Sequence, residues 1–208
     1  MITLRQRLGA VAQSDPHTVD GKYMIRSLYF DNPDDKALRE KIDGVNIREK
    51  FRIRYYNRDT SCIHLEKKHK IGDLSCKTSA RLSKEEAQAI VDGDYDWMMQ
   101  REEPLIHELY VKMTTQGLAP KVIVDYTREP YIYPVGNVRV TMDYDIRTGL
   151  LQTDFLNPDC PTIPTMDSPR ILEVKWDEVL PDVIRTAVQL GSRRSCAFSK
   201  YAACRMYD

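Results

Sequence analysis

The sequence predicts one α+β domain built on an antiparallel β-sheet. Two observations carry that prediction. Strand-like runs arrive as pairs joined by short polar links, the order of hairpins, and helical segments with their own start and stop signals are inserted between the pairs. Across 208 residues there is no repeat, no low-complexity tract and no clear boundary, so residues 1–208 read as a single domain able to bury a core.

The opening ITLRQRLGAV places Leu4, Leu8 and Val11 at helical spacing. KYMIRSLYF is rich in aromatic and β-branched residues and reads as a strand. DNPDDKALREKIDG follows as a helix, with Asp31 or Asn32 as cap, Pro33 in its first turn and Gly44 past its end. EKFRIRYYN and CIHLEKKHK form a hairpin across RDTS, and LSCKTSARL follows a turn at Gly72-Asp73. SKEEAQAIVDG carries a capping box, Ser83 with Glu86, and stops at Gly93. A longer helix covers EPLIHELYVKMTTQ and ends at Gly117. KVIVDYTREPYIY and NVRVTMDYDIR pair across PVGN; NPDCPTIPTMDSPR is a proline-rich loop. RILEVKW is the last strand, LPDVIRTAVQL a helix started by Pro181, and the segment from Ser192 closes the chain with a helical end.

Bulk charge narrows the function. Lys plus Arg and Asp plus Glu both total 31, so a global basic field for nucleic acid is absent and an anion site requires local segregation of charge. Five cysteines without CxxC or finger spacing read as free thiols of a reducing cytoplasm, with no support for a disulfide framework or zinc site. Neither HExxH, nor a nucleophile elbow, nor GxxxxGK[ST] occurs. No run approaches the roughly 18 apolar residues of a membrane span, and the N-terminus has no signal-peptide core.

Segregation does appear in the strands. Period two puts Arg52 and Arg54 on one face of the first hairpin strand, and His64, Glu66 and Lys68 on one face of the second. Lys77, Ser79 and Arg81 align next, then Arg139, Thr141 and Asp143, then Glu173 and Lys175. A sheet with one solvated face gives the same pattern. These faces, however, are dominated by long cations, while the acidic surplus lies in helices and loops. The apolar faces are matched by amphipathic helices able to cover them from outside. A barrel with its apolar side outward would enclose a lumen of Arg and Lys, where desolvated like charges repel unless an anion fills it. Closely spaced phosphates answer that need, with Arg forks binding two oxygens and Lys acting as a point charge.

IRSLYFDNPD, FRIRYYN, HLEKKHK, DYTREPY, RVTMDYDI, LEVKW and FSKY occur in that order, and together they resemble the VTC domain, the polyphosphate polymerase branch of the triphosphate tunnel metalloenzymes. The resemblance runs from about Tyr23 to Tyr201. It implies an antiparallel β-barrel tunnel with a basic lumen, ATP as phosphate donor, polyphosphate or triphosphate as ligand, and Mn²⁺ or Mg²⁺ as cofactor. It also implies roles: Arg52 and Arg54 on the triphosphate, with Lys68, Lys77, Arg81, Arg139, Lys175 and Lys200 as further basic contacts. Tyr126 and Arg128 form the YxR element, with Tyr126 a platform for adenine. Glu173 is the implied metal ligand, and Glu66 and Asp143 are further carboxylates able to ligate or orient.

Members of this family usually open with a strand carrying an ExK pattern. Here MITLRQRL begins directly in the helix, so the expectation is either a start that is misplaced or shortened or a tunnel lacking one strand, the latter with an open edge and a poorer metal site. The same residues suit a tripolyphosphatase or nucleoside triphosphatase, or an inactive triphosphate-binding module, because the acceptor is not written in donor-binding residues. RNA binding through RIRYYNR is a weaker rival. The sequence further predicts that Arg54→Ala and Lys200→Ala spare or raise stability by removing a repelling cation. Alanine at Leu172 or Val174 should instead cost roughly 2–4 kcal/mol.

Overall fold

In a computed structural model of the chain, which describes every residue except Asp73, Ser192, Tyr207 and Asp208, nine strands form one antiparallel sheet. Its main path runs β5-β4-β3-β2-β6-β7-β8, with β1 added to β6 and β9 to β7. The strands are β1 Gln13–Ser14, β2 Tyr23–Asp31, β3 Ile47–Tyr56, β4 Asp59–Ile71, β5 Leu74–Leu82, β6 Ala119–Tyr133, β7 Val138–Thr148, β8 Ile163–Pro164 and β9 Ile171–Lys175. The helices are α1 Ile2–Val11, α2 Lys36–Ile42, α3 Lys84–Asp92, α4 Pro104–Gln116, α5 Asp182–Ala187 and α6 Lys200–Cys204.

The sheet is not closed. Among the described residues β5 pairs with β4 alone and β9 with β7 alone, so the two margins do not meet and the expected barrel is an open trough. It is strongly curled nonetheless: the charge of Lys175 on β9 acts on Lys68 on β4, which lies near the opposite margin.

The trough is apolar outside, as the alternation requires. Leu28, Ile53, Ile63 and Leu65 are fully buried on the outer face of β2 to β4, where α3 and α4 cover them with Ile90, Ile106 and Leu109. Each such side chain contributes about 1.5–3 kcal/mol by leaving water. A second outer cluster joins Val138 and Val140 of β7 to Leu8 of α1 and Ile184 of α5. The third cluster lies inside the trough. Ile25, Tyr29, Val124, Tyr126 and Ile146 meet Tyr201 and Cys204 of α6, with Leu38 of α2 packed alongside.

Two local details depart from the expected boundaries, and a third connection shows why its glycine is needed. The first hairpin turns at Asn57 and Arg58, both left-handed at φ 51 and 60, and β4 already begins at Asp59. Consecutive positive φ values make this a type I′ turn, which matches strand twist; an Asn-Arg pair lacks the Gly that usually announces it. The α2 helix starts at Lys36, beyond Pro33, although Asp31 and Asn32 still cap it by accepting from the amides of Ala37 and Lys36. In the PVGN connection Gly136 has φ 75, and a Cβ there would lie 2.5 Å from the Val179 carbonyl oxygen, so only glycine fits. The capping box of α3 and the Gly93 and Gly117 stops form as expected. All five cysteines are free. Asp73, read from sequence as part of a turn with Gly72, lies outside the described residues.

Candidate anion-binding site in the trough

Register decides which side chains share the inner face. Tyr29 of β2 stands opposite Arg52, and Ser27 opposite Arg54. Arg52 stands opposite Glu66 of β4, and Glu66 opposite Ser79 of β5. Across the trough Arg128 of β6 stands opposite Asp143 of β7, and Thr141 and Arg139 stand opposite Glu173 and Lys175 of β9.

Two carboxylates anchor two groups of cations. Glu66, 5% exposed, meets Arg52 at 2.6 Å, Lys77 at 3.3 Å and Arg54 at 3.6 Å. Burial pushes its carboxyl up, but the charges of Arg54 and Arg52 prevail and hold it at about 2. Arg52 also donates to the Tyr29 hydroxyl at 2.7 Å, and Arg54 to Tyr126 at 3.0 Å and to Ser27. Asp143, 1% exposed, accepts both arms of Arg128 at 2.6 and 2.7 Å and pairs with Lys200 of α6 at 2.6 Å. Its carboxyl is lowered in spite of burial, through Arg128 first and then Lys200. Tyr126 links the groups: Lys200 lies 4.6 Å and Arg128 5.5 Å from its ring centroid, while its hydroxyl holds Arg54.

Two residues that the sequence reading passed over complete this lining. Lys50 shares the parity of Arg52 and Arg54 and packs 5.4 Å from the Tyr29 ring centroid. Burial lowers its ammonium to about 8, assisted by Arg52, Lys68 and Lys200 against the opposing Tyr29. Tyr29, stacked on Tyr201 at 5.1 Å, is raised by burial but lowered further by Arg52, Lys50 and Arg54, to about 7. Lys50 was legible, since KFRIR extends the same alternation. Tyr29 was not, because its partner Arg52 is brought to it by strand pairing alone.

The remaining predicted residues are more peripheral. Lys68 stands on the inner face near the rim, its ammonium lowered by partial desolvation and then by Lys175. Lys175 is exposed and lies 3.6 Å from Glu173. Arg139 turns to Asp15 at 3.1 Å and the Tyr23 hydroxyl at 2.6 Å. Arg81 stands at the β5 margin and donates to the Ser61 carbonyl, apart from both groups.

The three implied metal ligands are unequal. Glu66 and Asp143 are occupied by arginine and lysine donors, and no group of three or more acidic, His or Cys side chains able to hold a metal exists among the described residues. Glu173 is freer: its nearest cations are Lys175 at 3.6 Å and Arg128 at 3.8 Å. Its register partner Thr141 has a buried hydroxyl with no hydrogen-bond partner. One carboxylate and one hydroxyl fit a hard divalent cation whose other ligands are phosphate oxygens and water, not a preformed protein cage.

A cavity of about 380 Å³ on the other side of β2 and β6 is a separate feature, lined by Arg26, Asp125, Arg147 and Cys160 among others. Arg26 binds Asp125 with two bonds of 2.9 and 2.8 Å and the Asn157 and Cys160 carbonyls, so these charges hold the loop over the cavity.

The sequence matches the VTC domain family over residues 2–207. The chain belongs to the VTC domain family. No curated protein matches this VTC domain chain. Among solved structures, similar ones include a protein of Bacillus halodurans provisionally named an adenylate cyclase (13% identity, TM-score 0.45, 71% of this chain and 67% of that one). Another is a provisionally named adenylyl cyclase of Hippeastrum described as having a dominant triphosphatase activity (14%, 0.44, 71% and 66%). A third is the PH1819 protein of Pyrococcus horikoshii OT3 (13%, 0.42, 90% and 79%). No described helix of the VTC domain is long and apolar enough to cross a membrane.

Proposed function

We propose that residues 1–208 act as one ATP-dependent polyphosphate polymerase domain, binding the triphosphate of ATP in the trough and passing the γ-phosphoryl group to a growing polyphosphate chain. The observation that carries this reading is the convergence of Arg52, Arg54, Lys77, Arg128 and Lys200 on one concave face around only two buried carboxylates. Glu66 and Asp143 keep the cations in place without ligand. A triphosphate competes with them, replacing each carboxylate contact by several phosphate oxygens.

Phosphoryl transfer asks little covalent work of a protein; positioning and neutralisation of developing charge do most of it. Arg52 and Arg54 are pre-aimed by Tyr29, Ser27 and Tyr126, and Lys200 by Asp143 and the Tyr126 ring. Lys200 covers that ring, so stacking adenine on Tyr126 requires the lysine to move onto phosphate. Glu173, with Thr141 beside it, would hold Mn²⁺ or Mg²⁺, which supplies Lewis-acid charge at the phosphate oxygens. ATP as donor favours a cytoplasmic setting.

The test is incubation with ATP and Mn²⁺ followed by gel separation of chain lengths. Polymer that disappears in Arg54→Ala is expected. Free phosphate without polymer would replace the polymerase reading by hydrolysis in the same trough, and tripolyphosphate binding without turnover would replace it by a binding module.

A further inference from the structure

The cavity of about 380 Å³ on the outer face of β2 and β6 has a floor and a mouth of different character. At the floor Arg26 and Asp125 satisfy each other and hold the covering loop, which leaves them little capacity for a ligand. The mouth carries two further ion pairs. Among the described residues the Asp159 carboxylate meets only Arg58, at 3.2 Å, and the Asp145 carboxylate meets only Arg147, at 3.6 Å. All four side chains are at least a third exposed to water, and pairs of that kind hold together weakly. Two of the four stand on backbone that most residues avoid: Arg58 at φ 60 in the hairpin turn and Asp145 at φ 50 in a bulge of β7. The bulge arises because Asp125 faces Arg147 while Thr127 faces Tyr144, so β7 carries one residue more than β6. Left-handed backbone on either side of a cavity mouth points to side chains placed for use.

The lining is balanced in charge, three arginines against three aspartates, which disfavours a polyanion. Each mouth pair offers a cation beside an anion, and Met24, Pro158 and Pro161 supply apolar wall, with Met24 left 48% exposed. We propose that the cavity binds a small zwitterion with an apolar body, of the class of a free α-amino acid, its carboxylate taken by the mouth arginines and its ammonium by the mouth aspartates. Such a ligand exchanges weak exposed pairs for contacts of the same kind, and its apolar part leaves water in doing so. A cavity of a few hundred Å³ suits a molecule of that size. The cavity lies on the face of the sheet opposite the trough, so the proposal stands apart from the triphosphate reading.

The experiment is calorimetry on the full chain with leucine as the probe, beside isocaproate, which lacks its ammonium, and isoamylamine, which lacks its carboxylate. Leucine is expected to bind in the millimolar range or tighter, and each half-charged analogue roughly tenfold more weakly or worse, as for loss of one charged hydrogen-bonding partner. Arg58→Asn and Asp145→Asn should each lower leucine affinity about tenfold at an unchanged melting temperature, because asparagine suits left-handed backbone. Asp159→Asn, on the exposed loop, should do the same. Tripolyphosphate should not compete with leucine. Absence of leucine binding at millimolar concentration, or an affinity untouched by all three variants, overturns the site. Equal affinity for isocaproate overturns the zwitterion in favour of a simple anion, and competition by tripolyphosphate puts leucine in the trough and overturns the cavity.

Discussion

Glu66→Gln tests whether the trough is held by an internal counterion. Glu66 is the shared partner of Arg52, Arg54 and Lys77, and its carboxyl stands at about 2 in place of 4.5. At about 1.4 kcal/mol per unit, that depression contributes roughly 3 kcal/mol of stability to the ligand-free protein at pH 7. The sign follows from the folded value lying below the unfolded one. The contribution is complete above about pH 4.5 and is lost as pH falls towards 2, with about 1.4 kcal/mol left at pH 3. Glutamine keeps the shape and removes the charge. The variant should melt about 6–12 °C lower at pH 7. The gap in unfolding free energy, from urea titrations at pH 7, 5, 4 and 3, should shrink by more than half between pH 5 and pH 3. Tripolyphosphate should restore more melting temperature to the variant than to the parent, because it supplies the missing anion without having to displace one. A gap below about 1 kcal/mol at pH 7, or one that does not change with pH, would refute the counterion argument.

Other perturbations separate stability from binding. Arg54→Ala should cost about 2–3 kcal/mol by chemical denaturation, because Arg54 is 4% exposed and its loss strands the Ser27 and Tyr126 hydroxyls; a neutral or stabilising result would restore the expectation drawn from sequence. Lys200→Ala leaves Asp143 with both Arg128 bonds, so thermal stability should fall by less than about 1 kcal/mol while tripolyphosphate affinity drops more than tenfold. Lys50→Met should raise the melting temperature and weaken anion binding together, since Lys50 is a crowded ammonium held at about 8. In the unaltered chain the anion should draw a proton onto Lys50, so that calorimetry in buffers of different ionisation enthalpy detects proton uptake above pH 8 and affinity falls there. Leu172 and Val174 are only half-buried, so alanine there should cost about 1–2 kcal/mol, less than at fully buried Ile53, where about 2–5 kcal/mol is expected.

Much of the trough could be read before any coordinates. Alternation put Arg52, Arg54, Glu66, Lys77, Asp143 and Glu173 on charged faces, because period two is a property of the extended backbone that tertiary contacts do not alter. The same reasoning placed the apolar faces beneath helices, and the Ser83–Glu86 box and terminal glycines located helix ends through strictly local hydrogen bonding. The reading failed where a partner arrives from far along the chain. Nothing in FRIRYYNR says that Glu66 will neutralise its arginines, or that Tyr29 and Tyr126 will receive their N–H groups, so the expectation for Arg54 counted repulsion and left these partners out.

The sequence by itself therefore determined the α+β class and the strand faces, since these follow from local geometry and residue chemistry. Tertiary structure alone decided that the sheet curls without closing, and that Glu66 and Asp143 are counterions while Glu173 is the available carboxylate. Those outcomes depend on register between distant strands, where a shift of one residue would turn every one of these charges to the opposite face.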